Sequence, residues 1–216
     1  ATGNELKEPG AKLTAGEIYE SNRILIASLL SRLGMEAIVK PIVVDELVAT
    51  ADAIRDASEC DAIVTCGGVS VGQYDFVKAA VSELGGAIDF WRVAIKPGKP
   101  FVHAKVLGTP LFGLPGNPVS ALVTFWLLVR PALLRMTGAN NIGARISFGE
   151  LAEEIRNPGD RRHFVRVAID GEGDVRVSGP QASHRLASLS AANGLIDVAA
   201  GETWPTGKTV KVILLD

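Results

Sequence analysis

Strand-like and helix-like segments alternate over the first part of the chain, up to about residue 138. This alternation is typical of an α/β fold with a mostly parallel, doubly wound sheet. From about residue 145 the helical periodicity disappears, and short β-branched runs are separated by Gly, Asp, Asn and Pro. We therefore predict an α/β domain over residues 1–138 and a small all-β barrel domain over residues 139–216.

Capping signals and periodicity predict the elements of the α/β domain. The capping-box spacing of Thr14 and Glu17, followed by near-helical apolar spacing and Gly34, predicts a helix that ends at residue 33. A long apolar helix begins at Pro118 and should be kinked by Pro131. The chain opens on turn-like residues, so the first strand of the sheet is expected to be missing. The other predicted elements are a strand over 36–44, a helix over about 48–58, a strand over 61–66, a helix over 74–84, and strands near 88–95, 100–106 and 110–114.

Composition excludes several classes of partner. The 216 residues carry a formal net charge of −2, whereas nucleic acid and acidic membranes demand a basic face. Cys60 and Cys66 are too few for a disulfide framework and lack the spacing of a zinc site. No run approaches the roughly 20 apolar residues of a membrane span, and we find no signal-peptide pattern. We expect a cytoplasmic protein without nucleic-acid or membrane partners.

Turns at the carboxyl ends of the strands are where an open parallel sheet binds its ligands. The Gly-rich segment over 67–72 follows one predicted strand, and its glycines would let a ligand approach the backbone N–H groups. Such turns are also common for purely structural reasons. Asn117 and Pro118 follow another strand and suit the N-cap and first position of a helix, which needs no ligand to explain it.

Charged residues follow the same strand ends. Glu5, Asp45 and Asp75 each fit a loop carboxylate, and Asp75 also fits the positive end of a helix dipole. Because carboxylates from separate strand ends can share one ion, the three together predict a Mg²⁺ site. Lys96 and Lys99 lie on a loop stiffened by prolines, where pre-organised cations suit a compact oxyanion. A surface turn with two solvated lysines would give the same pattern.

Five ordered motifs resemble the signatures of the bacterial MoeA and gephyrin E-domain family. They are TGNEL over 2–6, IYESNR over 18–23, GGVSVG over 67–72 with Asp75, KPGKP over 96–100, and GLPGNPVS over 113–120. In the β domain, the segment 159–164 with Arg161 and the segment 181–184 with Ser183 resemble the arginine and serine motifs of the family's barrel. The resemblance therefore covers the whole chain.

The resemblance implies a molybdenumtransferase. Such an enzyme takes adenylated molybdopterin and molybdate, hydrolyses the adenylate with Mg²⁺, and leaves molybdenum on the dithiolene of the pterin. The resemblance further implies that Glu5, Asp45 and Asp75 serve the metal and the adenylate, and that Lys96 is catalytic. The implied substrate-binding residues are Thr2, Gly67, Gly68, Ser70, Gly72, Lys99, Pro100, Pro115, Gly116, Asn117, Pro118, Ser120, Arg161 and Ser183. The resemblance also implies which cationic and hydroxyl groups hold molybdate, a tetrahedral dianion that needs fixed donors. They are those of Lys96, Lys99, Ser120, Arg161 and Ser183.

The chain departs from the family's pattern in three positions. Asn4 stands where many members have Asp, Arg92 where Lys is common, and His163 where an acidic residue is common. The family also has N-terminal domains that this sequence lacks, and its active site is thought to lie between two subunits of a homodimer. A molybdopterin adenylyltransferase is a further expected partner.

Three other functions remain open at this stage. A molybdopterin adenylyltransferase-like enzyme shares the pterin-binding fold, although the motifs at Arg161 and Ser183 in the barrel argue against it. A non-catalytic scaffold or pterin-binding fragment is the second alternative. The third is a folded but inert fragment, because a sheet without one strand exposes unpaired backbone groups.

Overall fold

The computed structural model describes residues 1–69, 75–182 and 187–215. Its strands are β1 (Leu6–Lys7), β2 (Ile18–Tyr19), β3 (Ile63–Cys66), β4 (Ala87–Trp91), β5 (Ile95–Lys96), β6 (Val102–Val106), β7 (Thr109–Leu114), β8 (Ile146–Leu151), β9 (Ile155–Arg156), β10 (Arg162–Ile169), β11 (Asp174–Val177), β12 (Gly194–Val198), β13 (Thr203–Trp204) and β14 (Thr209–Leu214). Its helices are α1 (Asn22–Arg32), α2 (Leu47–Ala57), α3 (Phe76–Glu83), α4 (Pro118–Thr124), α5 (Arg130–Met136) and α6 (Ala187–Ser190), and a π-helical segment (Phe125–Val129) joins α4 to α5.

A four-stranded sheet in the order β3-β7-β6-β4 forms the centre of the first domain. β3, β7 and β4 run in one direction, because β3 is parallel to β7 and β6 is antiparallel to both of its neighbours. Side chains alternate across the sheet: Leu111 joins the core with α2 and α3, while Phe112 joins the core with α1 and α4. Helices thus cover both faces, and the predicted α/β class is confirmed.

Helix α1 begins later than the capping-box spacing predicts. The Thr14 N–H does donate to the Glu17 carboxylate over 2.7 Å, as such a box requires. Residues 18–19 nevertheless form β2, which pairs in parallel with β1. Glu20 caps the helix instead, because its Oε1 accepts the backbone N–H of Asn22 over 2.6 Å. The strand partner of β2 is distant in sequence, so a local pattern could not reveal it.

The predicted strand over 36–44 is wrong. Among the described residues, this stretch forms one isolated parallel bridge, between Thr2 and Val43. The Gly3 N–H donates to the Val43 carbonyl over 3.1 Å, and the Val43 N–H donates to the Ala1 carbonyl over 2.9 Å. Apolar alternation alone does not make a strand, because a strand also needs a neighbour to receive its backbone hydrogen bonds.

The long apolar helix begins at Pro118 as predicted, but its irregular part is the π-helical segment just before Pro131. Proline has no N–H to donate to the preceding turn, and a π segment is one way a helix absorbs that loss. By length and composition the 19 residues Pro118–Met136 could cross a membrane. More than half of this span, 56%, is buried within the molecule, where Phe125 and Val129 join the core.

Five strands of the second domain close into a barrel. β11, β8, β14, β12 and β10 pair in that order, and β10 pairs again with β11. Val165, Val167 and Val212 are among the aliphatic side chains that fill a core of this domain. The predicted barrel is therefore confirmed. β5, which the sequence places in one long strand with β4, instead pairs in parallel with β10 and ties the first domain to the barrel.

Candidate functional site

The carboxyl ends of β3, β4 and β7 lie at one edge of the four-stranded sheet, because these strands run in the same direction. The turns after β3 and β7 meet there: the Gly67 N–H donates to the Leu114 carbonyl over 3.0 Å. A Cβ on Gly116 would lie 3.8 Å from the Gly67 Cα. The Thr2 N–H donates to the carbonyl of the last residue of β3 over 3.0 Å. We call the surface formed by these turns the glycine edge, and its residues are Thr2, Gly67, Gly68 and Gly116.

Two residues of the glycine edge have no room for a side chain. Gly67 and Gly68 have φ of +92° and +66°, the left-handed region that favours glycine. A Cβ on Gly67 would lie 2.7 Å from the Thr2 carbonyl oxygen, and one on Gly68 would lie 2.8 Å from the Thr2 hydroxyl oxygen. Thr2 therefore packs directly against this turn. Ser70 and Gly72, predicted to contact substrate, lie outside the described residues.

The start of α4 carries the next predicted contacts. Asn117 is the N-cap with an extended backbone, and Pro118 occupies the first turn, as the sequence indicates. The Asn117 carbonyl accepts the N–H of Ala121 over 2.9 Å. Gly116 and Asn117 are exposed, whereas Pro115 and Ser120 are buried. Gly116 and Asn117 are thus the predicted residues that a ligand can reach from solvent at this turn.

A cluster of cations lies where β5 meets the barrel. The parallel register places Lys96 opposite His163. Arg161 reaches the same strand, because its Nη1 donates to the Ile95 carbonyl over 3.1 Å. Burial is the main cause that lowers the pKa of His163 to about 4, and the charges of Lys96, Arg166 and Arg161 contribute to the same shift in that order. His163 is therefore neutral at neutral pH. We call these four residues, Lys96, Arg161, His163 and Arg166, the cationic junction.

The loop after β5 connects the cationic junction to α4. Its Lys99 is exposed, its Pro100 is half-buried, and the Lys99 carbonyl accepts the N–H of Val93 over 3.0 Å. Gly98 has φ of +112°, and a Cβ there would lie only 2.5 Å from Cγ2 of Thr124. The loop thus packs tightly on α4, which fixes where the two lysines project. Ser183, predicted to bind molybdate, lies outside the described residues.

Arg166 is a member of the cationic junction that sequence reasoning missed. Its side chain is fully buried at 0% exposure, and its Nη2 donates to the Pro180 carbonyl over 2.8 Å. Its Nε and Nη1 are buried without a hydrogen-bond partner. The sequence pattern predicts that an arginine in a β-branched run faces solvent. In the structure, the closed barrel and the packing on its outer face bury Arg166.

The predicted acidic residues are divided between separate loops. Asp45 accepts the backbone N–H of Asn4 over 3.0 Å, and the Asn4 side chain accepts the Asp45 N–H over 3.0 Å. Glu5 follows Asn4, whereas Asp75 is the N-cap of α3. Within the parts of the chain described, no three His, Cys, Asp or Glu side chains form a group that could hold a metal ion. Asn4, which stands where many members of the family have Asp, thus connects its own turn to the segment that carries Asp45.

A second group missed by sequence reasoning surrounds Trp91 at the end of β4. The Nζ of Lys78 lies 3.3 Å and the Cζ of Arg92 lies 3.9 Å from the ring centroid. The Trp91 Nε1–H donates to the Val69 carbonyl over 3.0 Å, which ties β4 to the turn after β3. Burial lowers the pKa of Lys78, the nearby Arg92 lowers it as well, and Asp75 opposes both effects. No local pattern could pair a helix lysine with this tryptophan.

A cavity of about 320 Å³ lies beside the glycine edge, because its lining residue Val43 forms a parallel bridge with Thr2. It is lined by the segment 40–44 and by α2 residues, and none of the predicted site residues borders it. A second cavity, of about 70 Å³, is lined by Thr2 of the glycine edge together with residues of α2 and β3.

Both domains match known families. Residues 1–135 match the family described as probable molybdopterin binding domain, and residues 149–215 match the MoeA C-terminal region, domain IV. Molybdopterin molybdenumtransferase 2 of Mycobacterium tuberculosis is 40% identical over 206 residues, which cover 92% of this chain and 51% of that protein. The Haemophilus influenzae molybdopterin molybdenumtransferase is 37% identical over 216 residues, covering 94% and 53%.

Solved structures give the same result for the fold. The molybdopterin biosynthesis MoeA protein from Pyrococcus horikoshii superposes with a TM-score of 0.86 at 30% identity, covering all of this chain and 53% of that one. A molybdenum cofactor biosynthesis protein from Pyrococcus furiosus gives a TM-score of 0.73 at 25% identity, covering 90% of this chain and 64% of that one. The chain spans about half the length of the curated relatives that it matches.

Proposed function

The chain belongs to the MoeA family of molybdenum cofactor biosynthesis, with a molybdopterin binding domain and a MoeA C-terminal domain, and from this we propose that it forms the substrate-binding half of a molybdopterin molybdenumtransferase. The observation that carries the proposal is the pairing of β5 with β10. This pairing places Lys96 opposite His163, and the loop that follows β5, which carries Lys99, packs on α4. The cationic junction would then serve molybdate, and the glycine edge would serve the adenylated pterin. The barrel weighs against the adenylyltransferase-like alternative.

The cationic junction suits the molybdate. Molybdate is a tetrahedral dianion, and charge-assisted donors that are already in place bind such an ion without a large ordering cost. Lys96 and Arg161 are anchored by β5, and Lys99 extends from the same packed loop. His163 is buried and neutral at neutral pH, so it adds no further charge to the junction. We assign Ser120 and Ser183 as additional hydroxyl donors on the basis of the motifs alone.

The glycine edge suits the pterin phosphate and the adenylate. Gly116 and Asn117 are exposed at the start of α4, so a ligand can approach the backbone there more closely than a larger side chain would allow. Adenylated molybdopterin is our proposed substrate, and AMP is the product released when water cleaves its phosphoanhydride bond. We propose that the full-length protein is a homodimer that receives this substrate from a molybdopterin adenylyltransferase.

Mg²⁺ would assist that cleavage by neutralising charge on the phosphate oxygens. Mg²⁺ is commonly held by one or two carboxylates together with substrate phosphates and water, rather than by an all-protein cage. The separate positions of Glu5, Asp45 and Asp75 fit that mode and not a three-carboxylate cage. The ion would be held by one or two of these three carboxylates, and substrate phosphates and water would complete its ligands.

The test is AMP release from adenylated molybdopterin by the full-length protein that contains this chain, with and without Mg²⁺ and molybdate. We expect release to require both ions. Asp75→Asn should slow it by about a hundredfold at unchanged thermal stability, because a misplaced ion forfeits much of the electrostatic stabilisation. The control is Asp61→Asn, an exposed carboxylate at the opposite end of β3. Normal release by Asp75→Asn would remove Asp75 from the site, and binding without any release would leave a pterin-binding scaffold.

A further inference from the structure

The motif over residues 20–23 has no role in the proposed function, yet its polar side chains are buried. Glu20 is 3% exposed and Asn22 is 7% exposed. The Oε1 of Glu20 accepts the backbone N–H of Asn22 over 2.6 Å and that of Arg23 over 3.1 Å. Its Oε2 accepts the Arg23 Nε–H over 2.9 Å. The first turn of α1 is therefore capped from within its own motif.

Arg23 fastens that turn to two distant segments. Its Nη1 donates to the Lys40 carbonyl over 2.9 Å, and its Nη2 donates to the Glu8 carboxylate over 2.6 Å. Three carbonyl or carboxylate groups thus hold one guanidinium, whose side chain is 13% exposed. Anchored in this way, the start of α1 is a rigid support for whatever Asn22 contacts.

Asn22 contacts the glycine edge. Its Nδ2 donates to the Gly116 carbonyl over 2.6 Å, a bond between residues 94 positions apart. Gly116 is the residue of the β7–α4 turn that faces Gly67 across the edge. Its carbonyl also directly precedes Asn117, so the bond sets where α4 begins. The Asn22 amide thereby holds the β7–α4 turn, which carries Gly116 of the glycine edge.

The other end of the same amide has no partner. The Oδ1 of Asn22 is buried without a hydrogen bond, an arrangement that carries a desolvation cost. A buried apolar residue would avoid that cost but could not donate to Gly116. The role of asparagine at this position is thus explained by its donor and not by packing.

We propose that Asn22 is a positioning residue for the molybdopterin ligand, acting through the Gly116 carbonyl without touching the ligand. This rests on the proposed function only as far as the identity of the ligand is concerned. The positioning itself, the rigidity of the two turns of the glycine edge, is a property of the free chain and is measured there.

The first measurement is amide hydrogen exchange in the free chain. Asn22→Asp preserves the shape but puts an oxygen where the donor was, so it should repel the Gly116 carbonyl. We expect exchange of the Gly67 and Ala121 N–H groups, which donate to the Leu114 and Asn117 carbonyls on either side of Gly116, to accelerate about tenfold, the equivalent of one hydrogen bond. Amides of β12 in the barrel should not change. Unaltered exchange at Gly67 and Ala121 would overturn the proposal.

The second measurement is the dissociation constant for molybdopterin. Asn22→Asp should weaken binding about tenfold or more, because small displacements of a binding surface are costly. Ile26→Val, in the buried face of the same helix, is the control for general loss of stability and should bind normally once the fraction folded is matched. Equal weakening by both variants would reduce Asn22 to a structural residue. No binding by the unaltered chain would defeat the proposed function, while the exchange result would still decide the positioning.

Discussion

The glycine edge and the cationic junction are built in opposite ways. The glycine edge consists of backbone in turns where a side chain would collide with Thr2 or Val77. The cationic junction consists of long charged side chains around a buried, neutral imidazole. The first surface is defined by shape and the second by charge. The proposed function, which pairs a pterin with a small dianion, needs both kinds of surface, and the two should respond differently to steric, pH and charge changes.

The largest effect is expected from a steric change at the glycine edge. Gly67→Ala should lower the free energy of unfolding by about 4 kcal/mol, from left-handed backbone strain together with overpacking. Gly85→Ala is the matched control, because Gly85 also has a positive φ of +70° but has nothing within 4 Å of its added Cβ. It should cost only about 1 kcal/mol, the strain alone. Denaturant unfolding measures both, and equal losses would show that shape does not define this surface.

A pH change should act on the cationic junction and spare the glycine edge. The pKa of His163 is about 4 in the folded protein and ordinarily 6.5, so the unfolded chain binds its proton first as the pH falls. Stability from this residue is thus complete above pH 6.5 and lost as the pH approaches 4. The loss should reach about 3 kcal/mol, since one pKa unit corresponds to about 1.4 kcal/mol.

The measurement is the free energy of unfolding of the unaltered chain and of His163→Gln between pH 7.5 and pH 4. Other groups titrate in both proteins, so the difference between the two isolates His163. A difference that does not change with pH would mean that burial leaves the imidazole able to hold its proton, and the charge-based description of the junction would be wrong.

The smallest expected effect comes from removing one charge at the junction. Lys96→Ala should raise the pKa of His163, because the charge of the lysine is the largest cause of the lowered pKa after burial itself. It should also weaken molybdate binding about tenfold, with little change in pterin binding. Lys211→Ala, an exposed lysine on the barrel strand β14, is the control. Equal losses of molybdate and pterin binding would place Lys96 at the pterin phosphate instead, and the two surfaces would no longer be separable.

The sequence by itself determined the two domains as fold types and the residues that follow the strand ends. Alternating periodicity indicates helices on both faces of a sheet, and turn-rich β-branched runs indicate a barrel; both are present. Glycine and proline signals placed the turns at Gly67 and Pro118 correctly, because these residues restrict the backbone locally. These signals depend only on neighbouring residues, so they can be interpreted without knowledge of the fold.

Only the tertiary structure decided which of these residues meet. The pairing of β5 with β10 brings Lys96 to His163, the closing of the barrel accompanies the burial of Arg166, and α1 carries Asn22 to Gly116. Asp45, predicted to follow a strand, instead accepts the Asn4 N–H beside an isolated bridge, a contact that its own segment does not reveal. Contacts between distant segments depend on strand order, register and packing, and no short stretch of sequence encodes these. The chemical type of each residue is therefore evident from the sequence, whereas the assembly of these residues into two surfaces depends on the tertiary structure.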